Sequence, residues 1–136
     1  MRLAGAPFDG VIVGEMVRGR RELMIGAHVD PVFGPVVVVG DGGKYVEAMP
    51  DLRLLLPPFD ELDVVRALSR LRIAPLLPGV RGDPPLASET FGEVAVAVAR
   101  MMLDPACEVV SVDLNPVMVG AAGEPCTVVD ALVEVL

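Results

Sequence analysis

The sequence predicts an α+β fold: a largely antiparallel β-sheet with two main helices. Three observations carry that expectation. Apolar, β-branched runs fill residues 10–56 and 107–135, as half-buried strands require. Between them the apolar period switches to the three-and-four spacing of a helix. Pro and Gly clusters fall where the period changes, and they read as turns.

Residues 1–9 form a lead-in, and residues 10–136 form one domain. GVIVGEMV (10–17) is a strand-like run, followed by a basic turn at 17–21. ELMIGAHVD (22–30) is a second strand, and 31–35 breaks it. PVVVVG (35–40) is a buried strand with four valines in a row. Asp41, Gly42 and Gly43 make a tight turn, with 44–49 as the returning strand and 52–56 as one more short strand. Asp60 caps a helix over 61–72 that buries Leu62, Val65, Leu68 and Leu71. Residues 76–85 are an ordered Pro/Gly loop. Ser88 caps a longer helix through 103, apolar almost all round at Phe91, Val94, Ala95, Val98, Met101 and Met102. Residues 107–119 and 126–135 are the last two strands, joined by Gly120 to Gly123.

Composition narrows the function. The 136 residues carry 11 Lys+Arg against 19 Asp+Glu, a net charge of -8, which disfavours nucleic acid and anionic lipid as partners. Hydrophobic residues make up 53%, too many for disorder. Aromatics are only 4% with no Trp, so the core is aliphatic. Residues 1–8 are too short and too weakly apolar for a signal peptide, and runs such as 36–39 are too short to span a bilayer. Cys107 and Cys126 are too few for a disulfide framework and read as small core hydrophobes. The expectation is a soluble, cytoplasmic protein without membrane or nucleic-acid contacts.

The last hairpin holds the chemistry. Side chains alternate faces along a strand, so Ser111, Asp113 and Asn115 share one face. A turn centred on residues 120–123 sets Asp113 opposite Asp130 and Asn115 opposite Val128, which gathers Asp113, Asn115 and Asp130 on one surface. Two facing carboxylates repel unless something compensates. Mg²⁺ would, because it takes hard oxygen ligands from one or two carboxylates plus phosphate and water. Pairing of one Asp with an arginine, or a bulge at Pro116 that shifts the register, is the alternative.

Other positions are less distinctive. Gly34, Gly40, Gly42 and Gly43 read as turn glycines or as a phosphate cradle, although no helix follows them as in a phosphate-binding loop. Arg81, in GVRG, either binds phosphate or pairs with an acid. His28, the one histidine, reads as a structural or surface residue. Glu15, inside an apolar run, is either a functional acid or a solvent-facing strand residue.

ELMIGAHVDPVFGPVVVVGDGGKYVEAMPD (22–51), LLPGVRGDPP (76–85), VDLNPVMV (112–119) and VVDALVEV (128–135) together resemble the second half of the ATP-grasp domain of NDP-forming acyl-CoA synthetases. That group includes ADP-forming acetate–CoA ligases and is similar to the β subunit of succinyl-CoA synthetase. The resemblance covers about residues 10–136. It implies the C-terminal lobe of an ATP-grasp fold, a clamp that holds nucleotide between two α+β lobes. It also implies Mg²⁺ and ATP/ADP as cofactors and a reaction that forms acyl-CoA from acid, CoA and ATP by way of a phosphohistidine. The family's metal ligands match Asp113, Asn115 and Asp130. VGEMV (13–17) resembles the interlobe hinge, which puts Glu15, Met16 and Val17 beside the adenine. Glu22 falls where the wider fold often has an acid for the ribose hydroxyls. Arg81 matches the arginine of the family's G-x-R-G loop.

The departures also matter. The first ATP-grasp lobe with its phosphate-binding lysine, the phosphorylated histidine and the CoA-binding domain have no counterpart here, and His28 does not match that histidine. Asp41 and Lys44 stand where small or apolar residues are commoner. The chain thus reads as one wall of an active site, not expected to turn over alone, whose partners are the first lobe and the CoA-binding domain. A homodimer in isolation is expected from its uncovered surface. Two other readings predict much the same fold: a non-catalytic remnant or interaction module, and a small metal-binding α+β module.

Overall fold

The structure is a computed structural model, and it describes residues 10–43 and 48–136. The chain runs β1 (Arg21–Asp30), β2 (Gly34–Asp41), β3 (Leu52–Leu55), α1 (Glu61–Leu68), α2 (Ser88–Leu103), β4 (Val109–Val119), β5 (Thr127–Val128) and β6 (Ala131–Val135), with a short 3-10 turn at Ala74–Leu76 before α2. The strands form one six-stranded sheet in the order β3-β2-β1-β4-β5, and β6 also pairs with β4. Every pairing is antiparallel. The predicted α+β class with its antiparallel sheet and two helices is what the chain adopts.

The helices cover one face of the sheet. Leu23, Ile25 and Ala27 of β1, Val37 and Val39 of β2, and Val112, Leu114, Val117 and Val119 of β4 point into that layer. They meet Val64 and Leu68 of α1 and Phe91, Ala95, Val98 and Met102 of α2. Among the described residues no polar or charged side chain is buried. Phe91 is fully enclosed, and burying a side chain of that size is worth about 1.5–3 kcal/mol.

The motif D-P-x-F-G-P proves to be a turn device. Asp30 Oδ1 accepts hydrogen bonds from the main-chain N–H of Val32 (2.8 Å) and Phe33 (2.9 Å), which folds the chain so that Asp30 pairs with Gly34 and β2 begins. Those donors, Phe33 first and Val32 second, hold the Asp30 carboxyl below its ordinary pKa.

Several expectations are corrected. Residues 10–19 form no strand, since no neighbour offers a ladder, and Val11, Ile12 and Val13 are exposed. Of the expected return strand, residues 44–47 lie outside the described residues, while Ala48 and Met49 are turn and bend. The strand that returns along β2 is β3, with Gly40 facing Leu52. Asp60 does cap α1, in a reciprocal capping box with Asp63, but α1 stops at Leu68. Its buried face is Val64, Ala67, Leu68 and, beyond the helix, Leu71. Val65 is half-buried and Leu62 faces solvent, because the helix axis is rolled by about one residue from the expected stripe. Helix α2 ends at Leu103 as expected. Its N-cap residue is Ala87 rather than Ser88, without a side-chain cap, and its buried side is one face rather than the whole circumference. Of the two cysteines expected in the core, Cys107 is exposed, whereas Cys126 is half-buried and packs against the core's margin.

Candidate functional site

The turn after β4 sets the geometry of the candidate metal ligands. It spans Ala121 to Glu124, closed by the Glu124 N–H on the Ala121 carbonyl (2.9 Å), with Gly123 at φ +87° where an L side chain is disfavoured. This lies one residue later than the sequence reading placed it. The register therefore moves by two: Asp113 faces Leu132 rather than Asp130, and Val128 faces Val117 rather than Asn115. A shift of two keeps side chains on their faces. Asp130 falls in the break between β5 and β6, where its carbonyl accepts the Asn115 N–H at 3.2 Å. Asn115 and Asp130 are thus adjacent, and Asp113 is two residues along the same strand.

Pro116 does make the bulge that the sequence allowed. Leu23 pairs with Val117 and Ile25 with Leu114, so Asn115 and Pro116 together oppose Met24. The bulge lets Val112 and Leu114 before it and Val117 and Val119 after it all face the core. It also leaves Asn115 half-buried on the face away from the helices, beside the exposed Asp113.

Asn115 is the hub of this face. Its Oδ1 accepts the Gly43 N–H at 3.0 Å. That bond depends on Gly42, whose N–H donates to the Glu22 carbonyl (3.0 Å); a Cβ at Gly42 would lie 2.5 Å from the Leu23 main chain. The Gly42-Gly43 pair is therefore a close-approach device that carries the end of β2 across β1 to Asn115, which sequence reasoning took as turn or phosphate cradle. The Glu22 carboxylate packs on Gly43, where any side chain would meet it. Glu22 of β1, Gly43 just past β2 and Asn115 of β4 so come together.

The other candidates sit apart. Glu15 and Met16 are exposed and Val17 half-buried, in the segment without regular structure. Arg81 is exposed on a turn closed by the Asp83 N–H on the Val80 carbonyl (3.1 Å). Its φ of +54° is uncommon for a residue with a side chain. No described carboxylate pairs with Arg81; Asp83 is taken instead by Arg20, at 2.7 Å. Arg20 and Arg21 line a cleft of about 140 Å³ under this loop, and Arg21 is held by Asp41 through two hydrogen bonds of 2.9 and 2.6 Å. The sequence reading missed both pairs, because their partners lie 63 and 20 residues away in the chain. His28 is an exposed strand residue opposite Ser111.

The donor set fits a hard cation. Asp113 and Asp130 offer carboxylate oxygens, and Asn115 Oδ1 keeps a second lone pair beside the one given to Gly43. Among the described residues no three His, Cys, Asp or Glu side chains gather as a complete metal cage. An ion here would draw its remaining ligands from water and a bound phosphate.

With this geometry in place, residues 1–135 match the ATP-grasp domain family. The chain belongs to the ATP-grasp family. It is 39% identical, over 93% of its length, to a trans-feruloyl-CoA synthase from an unidentified prokaryote, and spans 18% of that protein. It is 33% identical, over 93% of its length, to the β subunit of the ADP-forming acetate–CoA ligase II of Pyrococcus furiosus, of which it spans 53%. Among solved structures it is similar to the dinucleotide-forming acetyl-coenzyme A synthetase 1 of Candidatus Korarchaeum cryptofilum in complex with coenzyme A and Mg-AMPPCP. The TM-score there is 0.79 at 31% identity, covering 89% of this chain and 55% of that one. The ATP-grasp chain thus spans between a fifth and about half the length of these relatives. Among its described residues no helix is long and apolar enough to cross a membrane.

Proposed function

We propose that this chain is the nucleotide- and Mg²⁺-binding lobe of an NDP-forming acyl-CoA synthetase. The overall reaction converts acid, CoA and ATP to acyl-CoA, ADP and phosphate, with the phosphohistidine and the CoA site on other domains. The observation that carries the reading is the Asn115 hub: its amide oxygen accepts the Gly43 N–H, its own N–H donates to the Asp130 carbonyl, and Asp113 stands two residues along the same strand.

In this reading Asp113, Asn115 and Asp130 hold the ion, and Glu22, packed on Gly43, takes the ribose hydroxyls. The main chain at Glu15, Met16 and Val17 reads the adenine edge. Arg81 approaches the phosphates as a donor of bidentate hydrogen bonds. A Mg²⁺ ion held by Asp113, Asn115 and Asp130 would supply positive charge to offset that of the nucleotide phosphates. The first ATP-grasp lobe closes the pocket from the opposite side, so the lobe alone binds but does not turn over.

Isothermal titration calorimetry tests this. Mg-ATP should give a saturable isotherm that chelation of the metal abolishes, and Asp113→Ala should weaken it at least about tenfold, or ~1.4 kcal/mol. Absence of heat with the intact chain, or an isotherm unchanged by Asp113→Ala, overturns the reading.

A further inference from the structure

A groove of about 300 Å³ runs between β3 and α1, at the edge of the sheet remote from β6. One wall is Arg53 to Leu56, the outer edge of β3, which pairs with β2 on one side and with no described strand on the other. The opposite wall is Asp63, Arg66 and Ala67 on one face of α1, continued by Arg70 in the turn after it.

The charge of this groove runs against that of the chain. The protein carries -8 overall, yet three arginines and one aspartate line these walls. Arg53 is immobilised: its guanidinium donates to the Leu52 carbonyl at 2.6 Å and to the Arg70 carbonyl, and it pairs with Asp51 at 3.6 Å. It therefore closes one end of the groove. Arg66 is steadied by Asp63 at 3.2 Å with most of its donors free. Arg70 has no carboxylate partner among the described residues. Leu54 and Leu56 keep much of their apolar surface in water.

We propose that the β3–α1 groove receives an extended acidic segment of a neighbouring polypeptide, added as a strand to β3. An edge strand beside a helix is the geometry of strand-addition recognition, in which main-chain hydrogen bonds give affinity and flanking side chains give specificity. Arg66 and Arg70 then pair with alternate carboxylates, and Leu54 and Leu56 are covered. A compact anion is a poorer fit, because Arg53 is already spent on carbonyls and Asp51, and the other two arginines are divided between α1 and the turn after it. Unpaired edges also cost a protein in aggregation unless covered or charged, and arginine serves that need while remaining a recognition group.

The proposal does not depend on nucleotide binding. The probe is a fluorescein-labelled peptide of alternating Glu and Val, followed by fluorescence anisotropy with the whole chain. Saturable binding is expected that weakens at least tenfold in Arg66→Glu/Arg70→Glu, and likewise in Arg66→Gln/Arg70→Gln, with the thermal midpoint of each variant unchanged. Replacing the Val residues of the peptide by Pro should also weaken it, because strand addition needs their N–H groups. Three results overturn the proposal: no binding by the acidic peptide, binding that survives both double variants, or full displacement by sulfate at constant ionic strength, which marks a site for small anions.

Discussion

Strands β1 and β6 flank the same central strand, β4, yet meet opposite fates. β1 alternates between the core and the open face, and Leu23, Ile25 and Ala27 are buried. β6, just as apolar in sequence, is exposed at every position. Pairing does not explain the difference, since both are antiparallel ladders on β4. What lies above them does: α2 packs over β1, β2 and β4, and nothing among the described residues covers β6. Hydrogen bonding makes a strand, but burial needs a second layer. The stretch of chain that ends in β6 is also acidic. Residues 101–136 hold six Asp or Glu and no Lys or Arg, whereas the far edge carries the arginine groove. The lobe is thus a finished core with two edges left uncovered among the described residues.

The largest way to break this comparison is to remove the cover. Phe91 of α2 is fully enclosed between the helices and the sheet. Phe91→Ala should cost about 3–5 kcal/mol, the transfer loss plus the cavity. Chemical denaturation followed by circular dichroism reads that cost, and a loss below about 1 kcal/mol would show that α2 does not seal the β1 side.

The sheet and both helices were legible because each rests on local pattern. Apolar runs bounded by turn residues announced β1 and β2, Asp60 announced its helix, and the switch of period separated strands from helices. The site was legible in composition but not in pairing. Asn115 stays beside Asp130 because parity survives a shift of two, whereas the expected cross-strand partners differ because Gly123, not Gly120, occupies the turn position with positive φ. Gly42 and Gly43 showed as glycines, but only the sheet order reveals that β2 crosses to Asn115. The exposure of β6 and of residues 10–19 was illegible for a different reason. An apolar run states a wish for burial, and whether it is granted depends on what stands opposite in space.

A matched pair of substitutions sharpens the comparison at its smallest scale. Val117 on β4 is 0% exposed and Val133 on β6 is 47% exposed. Replacing either by Thr swaps a methyl for a hydroxyl of nearly the same size and keeps the β-branched shape that strands favour. Val117→Thr puts that hydroxyl in an apolar layer and should cost about 1–3 kcal/mol. Val133→Thr leaves it in water and should change stability by no more than about 0.5 kcal/mol. The second number also reports on self-association. If β6 is covered by a second copy, Val133→Thr acquires a cost, that cost grows with protein concentration, and light scattering at high concentration shows the wild-type dimer weakening in the variant. A Val133→Thr effect that is small and the same at every concentration means that β6 is bare in the isolated chain.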